Sequence, residues 1–170
     1  MTMIGMPARP PENPRFALVD HDGRAVTQAS YAGQWTLVFF GFTHCERICP
    51  VELAKLSDAL DRAGQVAERF SPLYITVDPE RDDPARLREF LRAYPRFTGL
   101  TGSRPELERA RMDFRVFVRR TEDASAVGGY RVPHTASAFL VDPVGAFVAH
   151  FPDQLSADEI SRRLRELAGD

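Results

Sequence analysis

Hydrophobic residues along this chain form short continuous runs that alternate with helical repeats. Residues 37–42 and 73–77 are apolar runs of strand length, with the composition of strands covered on both faces. Between them, Leu53, Leu56 and Leu60 recur at helical spacing. This alternation of strand and helix predicts an α/β fold with parallel strand pairing.

The predicted helices carry local start and stop signals. The first runs over residues 51–63 and stops at Gly64. The second begins at Asp83, an N-cap residue that is followed by Pro84. A capping-box pattern at Ser156 opens the last helix.

Two hairpins are predicted near the ends of the chain. Residues 16–19 and 25–27 flank an Asp-Gly turn, with His21 as a solvated residue at its tip. A second turn, Asp142-Pro-Val-Gly145, joins two short apolar strands. Residues 114–120 alternate with period 2, which predicts a strand with one charged face, and residues 121–129 read as a mobile polar loop.

Composition and charge narrow the class of protein. Lys plus Arg is 22 and Asp plus Glu is 24, so the net charge of -2 favours neither nucleic acid nor a membrane surface. Residues 1–14 contain four prolines and no apolar stretch, and we expect an extended lead-in with no signal peptide or membrane span. Residues 15–170 are expected to form a single domain.

The two cysteines of the chain, Cys45 and Cys49, are the main chemical signal. They follow the first apolar run and precede Pro50, a residue suited to the first turn of a helix. Both thiols therefore lie in a strand-to-helix turn near the positive end of a helix dipole, which stabilises thiolates. Such a pair of cysteines could take part in disulfide exchange or bind a metal ion, and both functions are considered below.

Three segments together resemble the Sco/SenC family of copper-binding proteins. The first is the thiol segment, Gly41-Phe-Thr-His-Cys-x-x-x-Cys-Pro50. The second is Tyr130-Arg-Val-Pro-His-Thr-Ala136, and the third is Thr76-Val-Asp-Pro-Glu-Arg-Asp82. The resemblance implies a thioredoxin-like fold, with a central mixed sheet flanked by helices and an N-terminal β-hairpin.

Carried over residue by residue, the resemblance gives Cys45, Cys49 and His134 as metal ligands. Two thiolates and one imidazole suit Cu(I) and can also hold Cu(II). Zinc, with an open fourth position, is a chemically reasonable competitor. In the metal-free form, the same two cysteines would be the redox-active pair.

Asp78, His44 and Arg47 are candidates for supporting roles around those ligands. Arg47 would favour the thiolates, because a two-thiolate Cu(I) site carries negative charge. The chain departs from the family pattern at Glu46-Arg47, where members commonly have Pro-Asp, and at Pro133, where they commonly have Asp. These departures bear on redox tuning and delivery more than on copper binding.

The resemblance implies a copper chaperone or assembly factor that helps mature the copper centre of cytochrome c oxidase. Its partner would be the copper-bearing oxidase subunit or another copper chaperone, and the chain would act as a monomer on the extracytoplasmic side, where the family is usually membrane-anchored. The alternative is a metal-free thiol–disulfide oxidoreductase or peroxidase-like enzyme that uses the same cysteines. A binding module that has lost both activities is a third hypothesis.

Overall fold

The structure of the chain, a computed structural model, describes residues 13–43, 48–119, 121–122, 124, 130–131 and 137–169. Short 3-10 helices lie at Gln28–Tyr31, Gly64–Arg69 and Leu91–Ala93. In chain order, the strands and α-helices are β1 (Ala17–Asp20), β2 (Ala25–Thr27), β3 (Trp35–Gly41), α1 (Ile48–Ala63), β4 (Phe70–Thr76), α2 (Pro84–Phe90), β5 (Thr98–Thr101), α3 (Arg104–Asp113), β6 (Thr121–Glu122), β7 (Tyr130–Arg131), β8 (Ser137–Val141), β9 (Phe147–Pro152) and α4 (Ala157–Ala168).

Within the described residues, seven strands form one sheet in the order β2-β1-β5-β4-β3-β8-β9. β3, β4 and β5 run parallel to one another, whereas β1 is antiparallel to β5 and β8 is antiparallel to β3. The β1–β2 hairpin adds two antiparallel strands at one side. The predicted mixed sheet with an N-terminal hairpin is therefore confirmed.

Alternation along β3 divides the hydrophobic core into two layers. Leu37 and Phe39 face the layer that contains the apolar stripes of α1, α2 and α4. Val38 and Phe40 face the other layer, which contains α3 and the ring of Phe139. All four β3 side chains are buried, as expected for a central strand that is covered on both faces.

One edge of the sheet collects the strand ends that matter for the thiols. β3, β4 and β5 end there at Gly41, Thr76 and Thr101. β8 begins at the same edge with Ser137, because it runs antiparallel to β3 with Phe39 opposite Ala138. We call this the carboxyl edge of the sheet.

The strand predicted over residues 114–120 is wrong for the residues that the structure describes, since Val118 makes a single β-bridge and residues 114–117 belong to no strand. Phe114 ends α3, and Arg115 has a left-handed backbone with φ of 58°. The N–H groups of Arg115 and Val116 donate back to Met112 and Arg111, so they cannot join a sheet ladder. Val116 is nevertheless buried, which explains the period-2 pattern.

Three further boundaries differ from prediction, the first being the start of α1, at Ile48 instead of residue 51. Thr121 and Glu122, expected in a loop, pair with Tyr130 and Arg131 as the β6–β7 ribbon. β4 begins at Phe70, three residues before its predicted start, because residues 70–72 pair with the first residues of β3 even though Pro72 offers no N–H donor.

The described helices are too short or too polar for a bilayer. α1 is the longest at 16 residues, and none of the helices in the described part of the chain combines the length and hydrophobicity that a crossing requires.

Candidate metal centre

The predicted ligands lie at the limits of what the structure describes. Cys49 occupies the first turn of α1, Ile48–Ala63, where its backbone is described and its side chain is not. Outside the described residues lie His44, Cys45, Arg47 and His134. Asp78 is the predicted site residue whose side-chain contacts are visible. The geometry of the centre is therefore built from the residues that flank these positions.

Thr43, two residues before Cys45, is fixed by the carboxylate of Asp82. The Thr43 backbone N–H donates to Asp82 Oδ2 at 3.0 Å, and the Thr43 hydroxyl donates to Asp82 Oδ1 at 2.5 Å. Both residues are buried. The chain that enters the thiol turn (residues 43–49) is thus held by two hydrogen bonds to one carboxylate.

Asp82 also connects the ends of the neighbouring strands. The Thr76 hydroxyl, at the end of β4, donates to Asp82 Oδ2 at 2.7 Å, and the Thr101 hydroxyl, at the end of β5, donates to the Asp82 carbonyl at 2.9 Å. Asp82 is 0% exposed, and this burial raises the pKa of its carboxyl, while the hydrogen bonds from Thr43 and Thr76 lower it. One buried residue therefore joins three strand ends at the carboxyl edge.

Two arginines surround the same entry point. Arg86 Nε donates to the Thr43 hydroxyl oxygen at 3.1 Å, so this hydroxyl lies between a carboxylate and a guanidinium. Arg81 places its guanidinium 5.7 Å from the centroid of the Phe42 ring, a cation–π distance. The short α2 helix and the loop before it thus place two guanidinium groups beside the entry to the thiol turn, one of them paired with Asp78.

Asp78 forms an ion pair with Arg81. Its carboxylate accepts from Arg81 Nε, and Asp78 is only 4% exposed. Its backbone N–H donates to the Thr76 hydroxyl at 3.0 Å. Asp78 therefore holds the arginine that covers Phe42, and this contact keeps it a candidate for an indirect role.

Tyr94 contacts the exit of the thiol turn. Its hydroxyl donates to the Pro50 carbonyl in the first turn of α1, at 3.4 Å. Asp82, Arg86 and Tyr94 belong to one stretch of chain that passes from the loop before α2 to the residue after the following 3-10 helix. That stretch contacts both sides of the thiol turn.

The sequence did not indicate Asp82 or Thr43 as site residues. Asp82 lies in the run Asp78-Pro-Glu-Arg-Asp-Asp83, whose composition is typical of a solvated acidic loop. Its position inside the family-like segment was the available signal. Its burial follows from the meeting of three strand ends, which a single sequence does not reveal.

No group of three or more His, Cys, Asp or Glu side chains able to hold a metal ion lies within the described ranges. A cavity of about 250 Å³ lies at the opposite edge of the sheet, lined by residues such as Tyr31, Thr36, Phe114 and Pro143. Thr36 is at the start of β3, whereas Thr43 follows its end. This cavity is therefore separate from the thiol turn.

The parallel β3–β4–β5 core, the antiparallel β8–β9 hairpin and a cysteine at the start of α1 define a thioredoxin-like protein. The SCO1/SenC family model matches residues 5–169. The chain belongs to the SCO1/SenC family, and the resemblance predicted from its motifs is confirmed.

Similarity to individual proteins extends over most of the chain. A zebrafish (Danio rerio) relative, the mitochondrial protein SCO2 homolog, is 39% identical over 157 residues, covering 88% of this chain and 54% of the relative. The chain therefore spans about half the length of this curated relative.

Solved structures of two related proteins share the fold. Bradyrhizobium japonicum ScoI with copper bound is 34% identical, with a TM-score of 0.83, covering 92% of this chain and 99% of that one. BsSco, described as a Sco-family cytochrome c oxidase assembly protein with a disulfide switch, is 29% identical, with a TM-score of 0.75 and coverage of 97% of each chain. The predicted thioredoxin-like fold is confirmed.

Proposed function

We propose that this chain binds copper through Cys45, Cys49 and His134 and serves as an assembly factor for the copper centre of cytochrome c oxidase. The observation that carries the proposal is the shared carboxyl edge. β3 ends there just before the first thiol, and β8 begins there just after the segment with His134. Two distant parts of the sequence thus reach one end of the sheet.

Chain connectivity limits how far the proposed ligands can lie from this edge. An extended chain spans at most about 3.6 Å per residue. Cys45 follows Thr43 by two residues and His134 precedes Ser137 by three, which gives upper limits of roughly 7 Å and 11 Å between Cα atoms. These limits are compatible with ligation of one ion by all three side chains.

The donor set and its surroundings fit Cu(I). Two thiolates and an imidazole match the preference of this soft ion. The start of α1 favours thiolate at Cys49 through the helix dipole. Arg86, whose Nε donates to the Thr43 hydroxyl oxygen, places a guanidinium beside the entry to the proposed site, whereas the charge of Arg81 is paired with Asp78.

The relatives supply the proposed destination of the copper. One structural neighbour holds copper, and another is described as an oxidase assembly protein. From its relationship to these proteins, we infer that this chain passes copper to the copper-bearing subunit of cytochrome c oxidase or to another copper chaperone. It would do so as a monomer on the extracytoplasmic side of a membrane, with its cysteine pair able to form a disulfide.

The decisive experiment is anaerobic reconstitution of the protein with Cu(I), followed by competition against a copper chelator. We expect one copper per chain, strong loss of retention in His134→Ala, and loss of both copper and the intramolecular disulfide in Cys45→Ser or Cys49→Ser. His134→Ala should still form the disulfide, because that bond requires only the cysteines.

Two matched histidine variants make the test specific. His44→Ala removes the imidazole next to Cys45, and His150→Ala removes one in β9. His150→Ala is the control and should retain copper as the parent does. His44→Ala tests the supporting role predicted for His44 and should lose less copper than His134→Ala. If His134→Ala binds copper as tightly as the parent, the three-ligand site is wrong, and disulfide-reductase activity without metal would support the oxidoreductase alternative.

A further inference from the structure

The buried carboxylate of Asp82 is a hydrogen-bond acceptor for residues from two separate parts of the chain. It accepts three hydrogen bonds, two from Thr43 and one from Thr76. A carboxylate held fully inside a protein is costly unless several donors satisfy it. Two of the three hydrogen bonds to this carboxylate come from Thr43, which lies at the entry to the thiol turn, after the end of β3.

The link to Thr43 is also directional. The carboxylate binds both the backbone N–H and the side-chain hydroxyl of this residue, with distances of 3.0 Å and 2.5 Å. Arg86 Nε donates to the same hydroxyl oxygen at 3.1 Å. Three contacts from two sides leave the Thr43 backbone little freedom to rotate, and Cys45 follows after one intervening residue.

Residues on the same stretch of chain contact the other side of the turn. Tyr94 donates to the Pro50 carbonyl at 3.4 Å, one residue after Cys49. One segment, residues 82–94, therefore contacts both sides of the thiol turn. Asp82 binds the residue at its entry, and Tyr94 binds the residue at its exit. Contacts outside the ligand set influence metal affinity by fixing how the ligands are oriented. Here they would act indirectly, through the residues on either side of the two cysteines.

We propose that Asp82 is a positioning residue of the copper site, acting through Thr43 to fix where the chain carrying Cys45 leaves the sheet. The inference rests on the proposed copper function where copper retention is measured. It is independent of that function where the alkylation rate of Cys45 is measured in metal-free protein. Asp82 binds the backbone N–H and the hydroxyl of Thr43 at the entry to this segment, so we propose that its effect passes through Thr43.

The test compares Thr43→Val, Thr43→Ser and Asp82→Asn with the parent protein. Thr43→Val removes the hydroxyl while keeping the side-chain shape and the backbone N–H bond to Asp82. Thr43→Ser restores the hydroxyl. Chelator competition should show about tenfold weaker Cu(I) retention in Thr43→Val and Asp82→Asn, since removing a partner of a ligand shell lowers metal affinity by about 10- to 100-fold. Thr43→Ser should match the parent.

Asp142→Asn is the matched control. The Asp142 carboxylate likewise accepts from two backbone N–H groups, those of Val144 and Ala146, but in the β8–β9 turn at the opposite edge of the sheet. It should lower stability without changing copper retention. All comparisons are made on protein shown to be folded by near-ultraviolet circular dichroism, and Thr43→Val decides the question if Asp82→Asn does not fold.

A second readout separates failure of this inference from failure of the copper function. The rate of Cys45 alkylation by iodoacetamide, followed against pH in metal-free protein, reports thiol ionisation and access. Thr43→Val should shift this profile, and Thr43→Ser should restore it. If the parent binds no copper, the alkylation profile alone decides. Parent-like copper retention and parent-like alkylation in folded Thr43→Val would overturn the inference.

Discussion

His21 Nδ1 accepts a hydrogen bond from the backbone N–H of Gly99, with 3.0 Å between the two nitrogens. β1 ends at Asp20, which lies opposite Leu100 of β5. The imidazole therefore provides an acceptor for β5 where the strand ladder with β1 has stopped. His21 lies in the predicted turn, but the expectation that its side chain is solvated is wrong, because the ring is only 19% exposed and accepts a hydrogen bond from β5.

Replacing His21 with Ala should lower the free energy of unfolding by about 1 kcal/mol, the usual net value of one hydrogen bond, because the Gly99 N–H loses its acceptor. Urea denaturation measures this difference. Asp22→Ala, in the same turn, is the control, since the Asp22 carboxylate is 4.0 Å from the imidazole and only a weak effect is expected. Equal losses in both variants would mean that the turn, and not the imidazole, is responsible.

Ser161 in α4 and Ser156 at its N-cap should respond differently to replacement by Ala. Ser161 is 0% exposed, and its hydroxyl has no hydrogen-bond partner among the described residues. Ser161→Ala should therefore leave stability unchanged or raise it by up to about 1 kcal/mol. Ser156 caps the helix by accepting from the Glu159 N–H at 3.1 Å, and Ser156→Ala should cost about 1 kcal/mol. Thermal unfolding of the pair is the measurement, and a destabilised Ser161→Ala would show that its hydroxyl is satisfied.

Glu52 should make stability depend on pH. It is 8% exposed, and burial raises the pKa of its carboxyl above the ordinary 4.5, although Lys55, at 2.8 Å, lowers it. A raised folded-state pKa means that the folded protein binds this proton more tightly than the unfolded chain. The contribution is therefore present below the unfolded value and is lost as pH rises through the folded value.

Glu52→Gln should remove this dependence while keeping an oxygen that can accept from Lys55. Compared with the parent, the variant should gain relative stability as pH rises from about 4 to 7, as measured by urea unfolding at each pH. Lys55 Nζ also donates to the Asp153 carbonyl at 2.7 Å, a contact that should survive the change. A constant difference between parent and variant across this range would contradict the prediction.

Copper should stabilise the folded chain by mass action. At a free copper concentration a hundredfold above the dissociation constant, the gain is about 2.7 kcal/mol. For a domain of this size, that corresponds to a rise in Tm of roughly 5–10 °C. Differential scanning calorimetry with and without Cu(I) tests it, with His134→Ala as the variant expected to show little shift. An unchanged Tm despite confirmed stoichiometric binding would refute it.

Helix starts could be predicted from the sequence because their signals are local. Asp83 caps α2 by accepting from the Arg86 N–H at 2.8 Å, and Ser156 with Glu159 forms the predicted capping box in α4. Each signal needs only residues within one turn of the chain. The same holds for the Asp142 turn, where Gly145 has the positive φ of 91° that glycine tolerates.

Non-local contacts limited the remaining predictions. After Phe114, the period-2 pattern is genuine, but hydrogen bonds back to α3 turn the chain away from the sheet. The proposed ligands could be identified because cysteine pairs and family motifs are visible in one sequence. Asp82 could not be identified in this way, because its burial depends on threonines at or just after the ends of three strands, Thr43, Thr76 and Thr101.

The pairing of Phe39 with Ala138 sets an order on folding. The thiol-bearing half of the protein is synthesised early, whereas β8 emerges after every other strand of the main sheet except β9. Contacts between segments so far apart in sequence form slowly, since loop closure precedes their gain in free energy. In a nascent chain, the segment with both cysteines would therefore be complete before β8 has joined β3. If His134 is the third ligand, as proposed, the copper site would be among the last parts of the protein to be completed.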